Sequence, residues 1–140
     1  MPSAVVVDTM IASAWLGVRA SPRKARWAVL LSQSRWVLPF TVVAEMRFGA
    51  ELAGWGARRR GVLDRLVASA GVMPPLKEVT DAYVDLRTWC VRAGHGLGAK
   101  DHEADRWVAA VALAANLPLA SEDSIFDNVP NLQRADPNAW

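Results

Sequence analysis

Val5-Val6-Val7-Asp8-Thr9 is the stretch whose reading decides the fold. Three consecutive β-branched residues read as a strand buried on both faces, the kind found inside parallel sheets. The run stops at a carboxylate, and a helix-like pattern begins at Thr9. In open α/β sheets ligands sit beyond the carboxyl ends of the strands. An acid at that point faces a crevice instead of core, so Asp8 is the first candidate for the wall of an acidic metal site.

Working outward, strands and helices alternate. Ala4 to Val7 is the first strand and Thr9 to Leu16 a short helix ending near Gly17. Ser21-Pro22 opens the next helix, with Ser as N-cap and Pro at the first position, and this helix stops near Ser34. Trp36-Val37-Leu38 is a second strand closed by Pro39. Thr41 is expected to cap a helix that carries Glu45 among apolar neighbours and runs to about Leu52. Gly54 and Gly56 break it. A further amphipathic helix covers about Ala57 to Ala68, with Arg58, Arg59 and Arg60 at its start. Gly71-Val72-Met73 is a third strand ended by Pro74-Pro75, and Thr80 to Arg92 another helix. Gly94 to Gly98 reads as a loop. Asp101 begins a helix-like segment, and after Asp105 the run Trp107 to Ala115 is apolar almost all round, as in a helix buried on several sides. Asn116 ends it. Leu117 to Ala120 is a strand that again delivers acids, Ser121-Glu122-Asp123, at its carboxyl end. Gln133 to Ala135 is a candidate edge strand.

This alternation implies right-handed crossovers and a mostly parallel sheet with helices on both faces, a three-layer α/β/α sandwich. Residues 1–140 are expected to form one domain. In that topology the first strand and the Leu117 strand end on the same edge, so Asp8 and Asp123 meet.

The bulk composition excludes several classes. A chain with 52% hydrophobic and 21% charged residues is globular, not disordered. No apolar run is long enough to span a bilayer. Strand-like residues start almost at once and no basic leader precedes them, so no signal peptide is expected. The single cysteine, Cys90, has no internal partner and suits a reducing compartment, with the cytoplasm as the simplest address. The net charge is only +2, but Arg19, Arg23, Lys24 and Arg26 cluster, as do Arg58, Arg59 and Arg60. Such patches bind phosphates or form solvated helix faces. Among the seven tryptophans, Trp15 and Trp55 lie near helix ends and are the expected exposed contacts.

Each acid has a purely structural reading. Asp8 can cap the following helix. Glu45 can pair with Arg47. Asp105 can be a first-turn charge favoured by the helix dipole, with Asp101 four residues earlier as its competitor. Asp123 can serve a turn, with Glu122 and Asp127 as competitors. Together, two strand ends and two helix starts supplying acids point to a hard divalent cation, which takes oxygen ligands and keeps several waters. Crowded carboxylates repel one another, so a metal explains a cluster that stability alone disfavours.

The ordered set of motifs resembles the PIN-domain ribonucleases, and most closely the VapC-type toxins of bacterial toxin–antitoxin pairs. The matching pieces are Val5 to Thr9, Thr41-Val42-Val43-Ala44-Glu45-Met46-Arg47-Phe48-Gly49, Asp105-Arg106-Trp107-Val108-Ala109-Ala110, and Leu117 to Asp123 with Phe126. They span nearly the whole chain. The resemblance implies Asp8, Glu45, Asp105 and Asp123 as a catalytic, metal-holding quartet, with Ser121 and Thr9 in support. It also implies Mg2+ or Mn2+ as cofactor, RNA as substrate, a small VapB-like antitoxin protein as partner, and a homodimer. Arg58, Arg59 and Arg60 are then expected to contact RNA phosphates. Met10, Ala120 and Glu122 depart from the usual pattern.

The expected activity is metal-dependent endonucleolytic hydrolysis of RNA. The alternative is a PIN-like module that binds RNA or protein without cutting. A receiver domain is disfavoured because the first strand ends in a single acid and no lysine follows Lys100. Asp8-Thr9-Met10 lacks the Asp-x-Asp of a haloacid-dehalogenase-like phosphatase. No Gly-rich turn of a Rossmann binder follows the first strand, and Cys90, His95 and His102 form no zinc pattern.

Overall fold

The computed structural model describes residues 1–139. Its strands are β1 (Ala4–Val7), β2 (Arg35–Pro39), β3 (Gly71–Met73) and β4 (Leu119–Ala120). The helices are α1 (Thr9–Leu16), α2 (Pro22–Gln33), α3 (Phe40–Leu52), α4 (Ala57–Ser69), α5 (Lys77–Ala93) and α6 (Glu103–Ala115). The sheet order is β3-β2-β1-β4, and every pairing is parallel. Val5 pairs with Trp36, and Val7 with Ala120.

Successive strand residues point to opposite faces, and Val5, Val6 and Val7 are each 0% exposed. Both faces of β1 are therefore covered, which is the three-layer α/β/α sandwich. Helix α6 supplies much of one cover. Its Val108, Ala109, Ala110, Val111 and Ala112 are all buried, so small side chains let it lie close to β1 and β2. Trp27, Leu30 and Leu31 form the buried stripe of α2, with the 3.6-residue spacing of an amphipathic helix. Cys90 is a buried free thiol. No helix among the described residues is long and apolar enough to cross a membrane.

Local signals placed several boundaries. Ser21 caps α2 by accepting from the Lys24 amide at 3.0 Å, with Pro22 at the first position. Asn116 closes α6 in the left-handed conformation, φ 52°, a region Asn tolerates better than most residues.

Four expectations need correction. Thr41 is not an N-cap. Helix α3 starts at Phe40, two residues before the start that a Thr41 cap implies, with Pro39 at the cap position and no side-chain cap bond. The Thr41 hydroxyl is buried without a partner among the described residues. Helix α5 begins at Lys77, not Thr80, because Leu76 enters directly from Pro74-Pro75 and its cap uses no side chain. The Gly94–Gly98 loop is wound into a 3-10 turn at Gly96–Gly98. The candidate edge strand reduces to one parallel bridge, Leu119 to Arg134, flanked by Leu119 N–H to Gln133 O and Ala135 N–H to Leu119 O at 2.9 Å each. Its neighbour β4 is only two residues long, and Pro137 soon removes a donor.

Candidate active site

The carboxyl ends of β1 and β4 lie side by side, because the Asp8 N–H donates to Ala120 O at 3.1 Å. That bond brings Asp8 beside Ser121. Asp8 is 7% exposed, and both its carboxylate oxygens are held. Oδ1 accepts from the Thr9 N–H at 2.8 Å and Oδ2 from the Ser121 hydroxyl at 2.8 Å. Asp8 thus does cap α1, but the cap accounts for only one oxygen. The Ser121 hydroxyl also accepts from the Asp123 N–H at 3.1 Å. Asp123 then accepts from the Ile125 N–H at 3.0 Å through Oδ1, capping a 3-10 turn at Ser124–Phe126.

The other two acids approach from helices. Thr9 Oγ1 donates to Glu45 Oε2 at 2.7 Å, joining α1 to α3. Asp105, in the first turn of α6, shares a 2.8 Å hydrogen bond with His102 Nδ1. Burial pushes the Asp8 carboxyl above its ordinary value. The bonds from Ser121 and Thr9 oppose this, and the charges of Asp105 and Glu45 push it further up. Those two acids are therefore close enough to act on Asp8.

The competing acids are arranged differently. Burial alone would lift Glu122, but donors from Arg26, Trp27 and Arg23 hold it below its usual value. Asp127 pairs with Arg134 at 2.9 Å. Asp101 is exposed in the Lys100–His102 turn. Among the described residues, Asp8, Glu45 and Asp123 have no ion-pair partner, Glu45 does not pair with Arg47, and Asp105 has only His102. Glu122 and Asp127, the competitors at the exit of β4, are thus ion-paired, whereas among the described residues Asp8, Glu45 and Asp123 are not.

A cavity of about 360 Å3 opens here, lined by Asp8, Met10, Arg23, Ser121, Glu122, Asp123 and Ser124. A larger cleft of about 670 Å3 lies between Trp15, Trp55, Arg58, Arg59 and Val62. It contains no carboxylate, so size does not make it the chemical centre. Trp15 and Trp55 are half-buried there and pack against the core, not out in solvent. Arg59 lies over the Trp55 ring at 3.9 Å, and Arg60 donates to Trp55 O at 2.7 Å and pairs with Glu51. Arg58 and Arg59 line this cleft, and none of the arginine triplet lines the acidic cavity.

Among the described residues, no three His, Cys, Asp or Glu side chains stand close enough to form a ready-made metal cage. The donor chemistry nevertheless fits a hard cation. All donors are oxygens, no Lys or Arg among the described residues pairs with them, and Mg2+ usually takes one or two carboxylates with waters and substrate phosphate completing its shell. Asp8 with Asp105 or Asp123 would hold it.

The sequence reading missed three features. Arg23 faces the acidic cavity, bonded to Glu122 across 99 positions of chain. His102 holds Asp105, an i, i+3 spacing that a helical wheel exposes. Arg106, 1% exposed, donates to Leu97 O at 2.9 Å and Ala99 O at 2.6 Å, clamping the segment before α6. A lone charge at the head of an apolar helical run was the available signal for it.

Comparison with known proteins follows the same outline. The sequence matches the PIN domain family over residues 5–132. No curated protein matches significantly. Among solved structures, VapBC2 from Rickettsia felis, bound to a fragment of promoter DNA, superposes with a TM-score of 0.76 at 19% identity, covering 94% of this chain and 97% of that one. FitAcB from Neisseria gonorrhoeae gives 0.76 at 20% identity, covering 97% and 99%. VapBC-1 from nontypeable Haemophilus influenzae gives 0.75 at 23% identity, covering 96% and 98%. These likenesses speak for the fold, and the family match over most of the length identifies the chain as a member of the PIN domain family.

Proposed function

We propose that this protein is a metal-dependent endoribonuclease acting as the toxin of a VapBC-type toxin–antitoxin pair. The observation that carries the reading is the environment of Asp8. A buried carboxylate at a strand end is pressed by Asp105 and Glu45 with no protein cation to neutralise it. Such an arrangement disfavours the bare folded state, and a bound divalent cation reverses that sign.

When bound, Mg2+ or Mn2+ supplies charge neutralisation on the phosphate and acidifies the attacking water. The chain's own residues do the rest. Ser121 and the Thr9 amide fix the Asp8 carboxylate so that it presents oxygen to the cavity without rotating. His102 holds one oxygen of Asp105. Thr9 orients Glu45, which is exposed and positioned to take a proton or steer water. Asp123 lines the same cavity as Asp8. RNA as substrate, the cytoplasm as location and a VapB-like antitoxin as partner rest on the family and on neighbours described as VapBC or toxin–antitoxin complexes. Self-association into a dimer is the reading of exposed apolar side chains such as Phe48, Leu52 and Val91.

The test is cleavage of an RNA pool by antitoxin-free protein with Mg2+ or Mn2+ and with chelator, beside Asp8→Asn and Asp105→Asn. Discrete cleavage that requires metal and disappears in both variants is expected. Metal-loaded, folded protein that binds RNA but leaves it whole would make this a binding module instead.

A further inference from the structure

The acidic cavity poses an electrostatic problem. RNA carries a charge on every phosphate, and Asp8 and Asp123 line the cavity with Asp105 and Glu45 beside it. A strand entering this field needs cations from the protein in addition to any bound metal. Arg23 is the one basic residue among those lining the cavity.

Its hydrogen bonding is unusual for an ion-paired arginine. Glu122 Oε1 accepts from Arg23 Nε at 3.2 Å. Among the described residues, neither terminal nitrogen of Arg23 has a partner. A guanidinium offers five N–H donors in a fixed fork, so four remain, on the two terminal nitrogens, in the geometry that suits a phosphate. Arg26 is committed differently. One of its terminal nitrogens donates to both Glu122 oxygens, at 3.0 and 2.8 Å, and it does not line the cavity.

Glu122 is also fixed from a third side, by Trp27 Nε1 at 3.2 Å. It sits in sequence between Ser121 and Asp123, two of the cavity's own residues. One carboxylate therefore ties helix α2 to the exit of β4 and sets where the Arg23 fork stands relative to Asp8. Half-exposed pairs of this kind add little stability, so the placement they impose is their main consequence. Resting on the ribonuclease reading, we propose that Arg23 is a substrate-binding residue of the acidic cavity, positioned by Glu122, which takes a backbone phosphate of the bound RNA strand. The Arg58–Arg60 triplet is a poorer candidate, since Arg59 lies over Trp55, Arg60 is engaged with Glu51, and all three stand away from the acids.

Binding can be separated from cleavage in an Asp8→Asn background, using a fluorescently labelled single-stranded RNA oligonucleotide of mixed sequence and anisotropy over a range of salt. Adding Arg23→Gln is expected to weaken binding roughly five- to tenfold and to lower the salt slope by about 0.7, the share of one phosphate contact on a single strand. Arg23→Lys should restore the slope but only part of the affinity. Glu122→Ala separates positioning from charge. Removing an anion beside RNA should tighten binding by electrostatics alone, whereas loss of positioning weakens it, and weakening is expected. Unchanged affinity and slope in Arg23→Gln, an equal loss in Arg26→Gln, or tightening in Glu122→Ala would overturn the assignment. Wild-type cleavage with Mn2+, measured alongside, keeps the two readings distinct. Inactive protein that still loses the Arg23 contribution would refute cleavage alone. Active protein indifferent to Arg23→Gln would refute the phosphate grip alone. Absence of RNA binding by Asp8→Asn protein together with absence of cleavage by wild type would refute both.

Discussion

The Ser121 hydroxyl donates to Asp8 Oδ2 at 2.8 Å, closing a distance of 113 positions in sequence. The same hydroxyl accepts from the Asp123 N–H, so one oxygen sets both strand-end acids. Ser121→Ala removes a donor from a buried carboxylate and an acceptor from an amide. Such losses run to about 1–3 kcal/mol, and outer contacts of metal-holding groups typically change affinity by about 10–100-fold. Ser121→Ala is therefore expected to lower urea stability by about 1–2 kcal/mol and to weaken Mn2+ binding by at least about tenfold. Ser121→Thr, which keeps the hydroxyl, should retain most of both. Calorimetric titration with Mn2+ beside urea melts checks this, and unchanged affinity in Ser121→Ala would refute it.

Asp8 yields a prediction with a definite sign. Its carboxyl titrates above the ordinary value of 3.8, first through burial. The folded state thus holds that proton more tightly than the unfolded chain. Stability then falls as pH rises from the ordinary value through the raised one, and remains lower above it. Without divalent ions, Asp8→Asn should melt higher than wild type at neutral pH, with the difference shrinking as pH falls through the raised value and gone below about 3.8. Adding Mn2+ should raise the melting temperature of wild type and leave the variant nearly unmoved. A variant that melts lower than wild type at neutral pH without metal would contradict the account of Asp8 as a strained charge.

Arg106 couples the site to the fold. Its guanidinium is buried, supplies donors to Leu97 O and Ala99 O, pairs with Glu103, and stands next to Asp105 in sequence. Arg106→Met preserves bulk but leaves two carbonyls without donors. At about 1–3 kcal/mol for an unsatisfied buried group, a loss of about 2–4 kcal/mol is expected. Amide exchange should accelerate across residues 96–102, and Mn2+ affinity should fall because His102, which holds Asp105, lies on that segment. Loss of stability with unchanged exchange in that stretch would mean the clamp acts elsewhere.

The parts of the fold legible in the sequence were those with local causes. Val5 to Asp8 announced a buried strand ending in an acid, Ser21-Pro22 a helix start, and Asn116 a left-handed stop, each through chemistry within a few residues. The start of α5 differs from the expected one because its cap, Leu76, uses no side chain, and the first Ser, Thr, Asp or Asn after Pro75 is Thr80. The acids are proposed as a set from two strand ends, for Asp8 and Asp123, and two helix starts, for Glu45 and Asp105. Their relations were not legible there. Glu122 looked like a rival to Asp123, and only the approach of Arg23 and Arg26, distant in sequence, shows it neutralised. Likewise the burial of Arg106 depends on Tyr83, Leu97 and Ala99, which are distant or irregularly spaced in sequence and close around it only in the fold.

Thr41 supplies the last prediction, from a place where local chemistry pointed the wrong way. Ser, Thr, Asp and Asn before an apolar run signal an N-cap, yet α3 begins at Phe40 behind Pro39. Two residues past the cap position, the Thr41 hydroxyl is buried with no partner among the described residues. An unpaired buried hydroxyl carries its desolvation penalty without return. Thr41→Val replaces it with a methyl of nearly equal size. The variant is expected to be neutral to more stable by up to about 1 kcal/mol, the reverse of the roughly 1 kcal/mol loss that removing a true N-cap brings. Urea melts distinguish the two signs. Destabilisation by about 1 kcal/mol would mean that Thr41 caps α3 in solution and that the helix starts where the sequence alone places it.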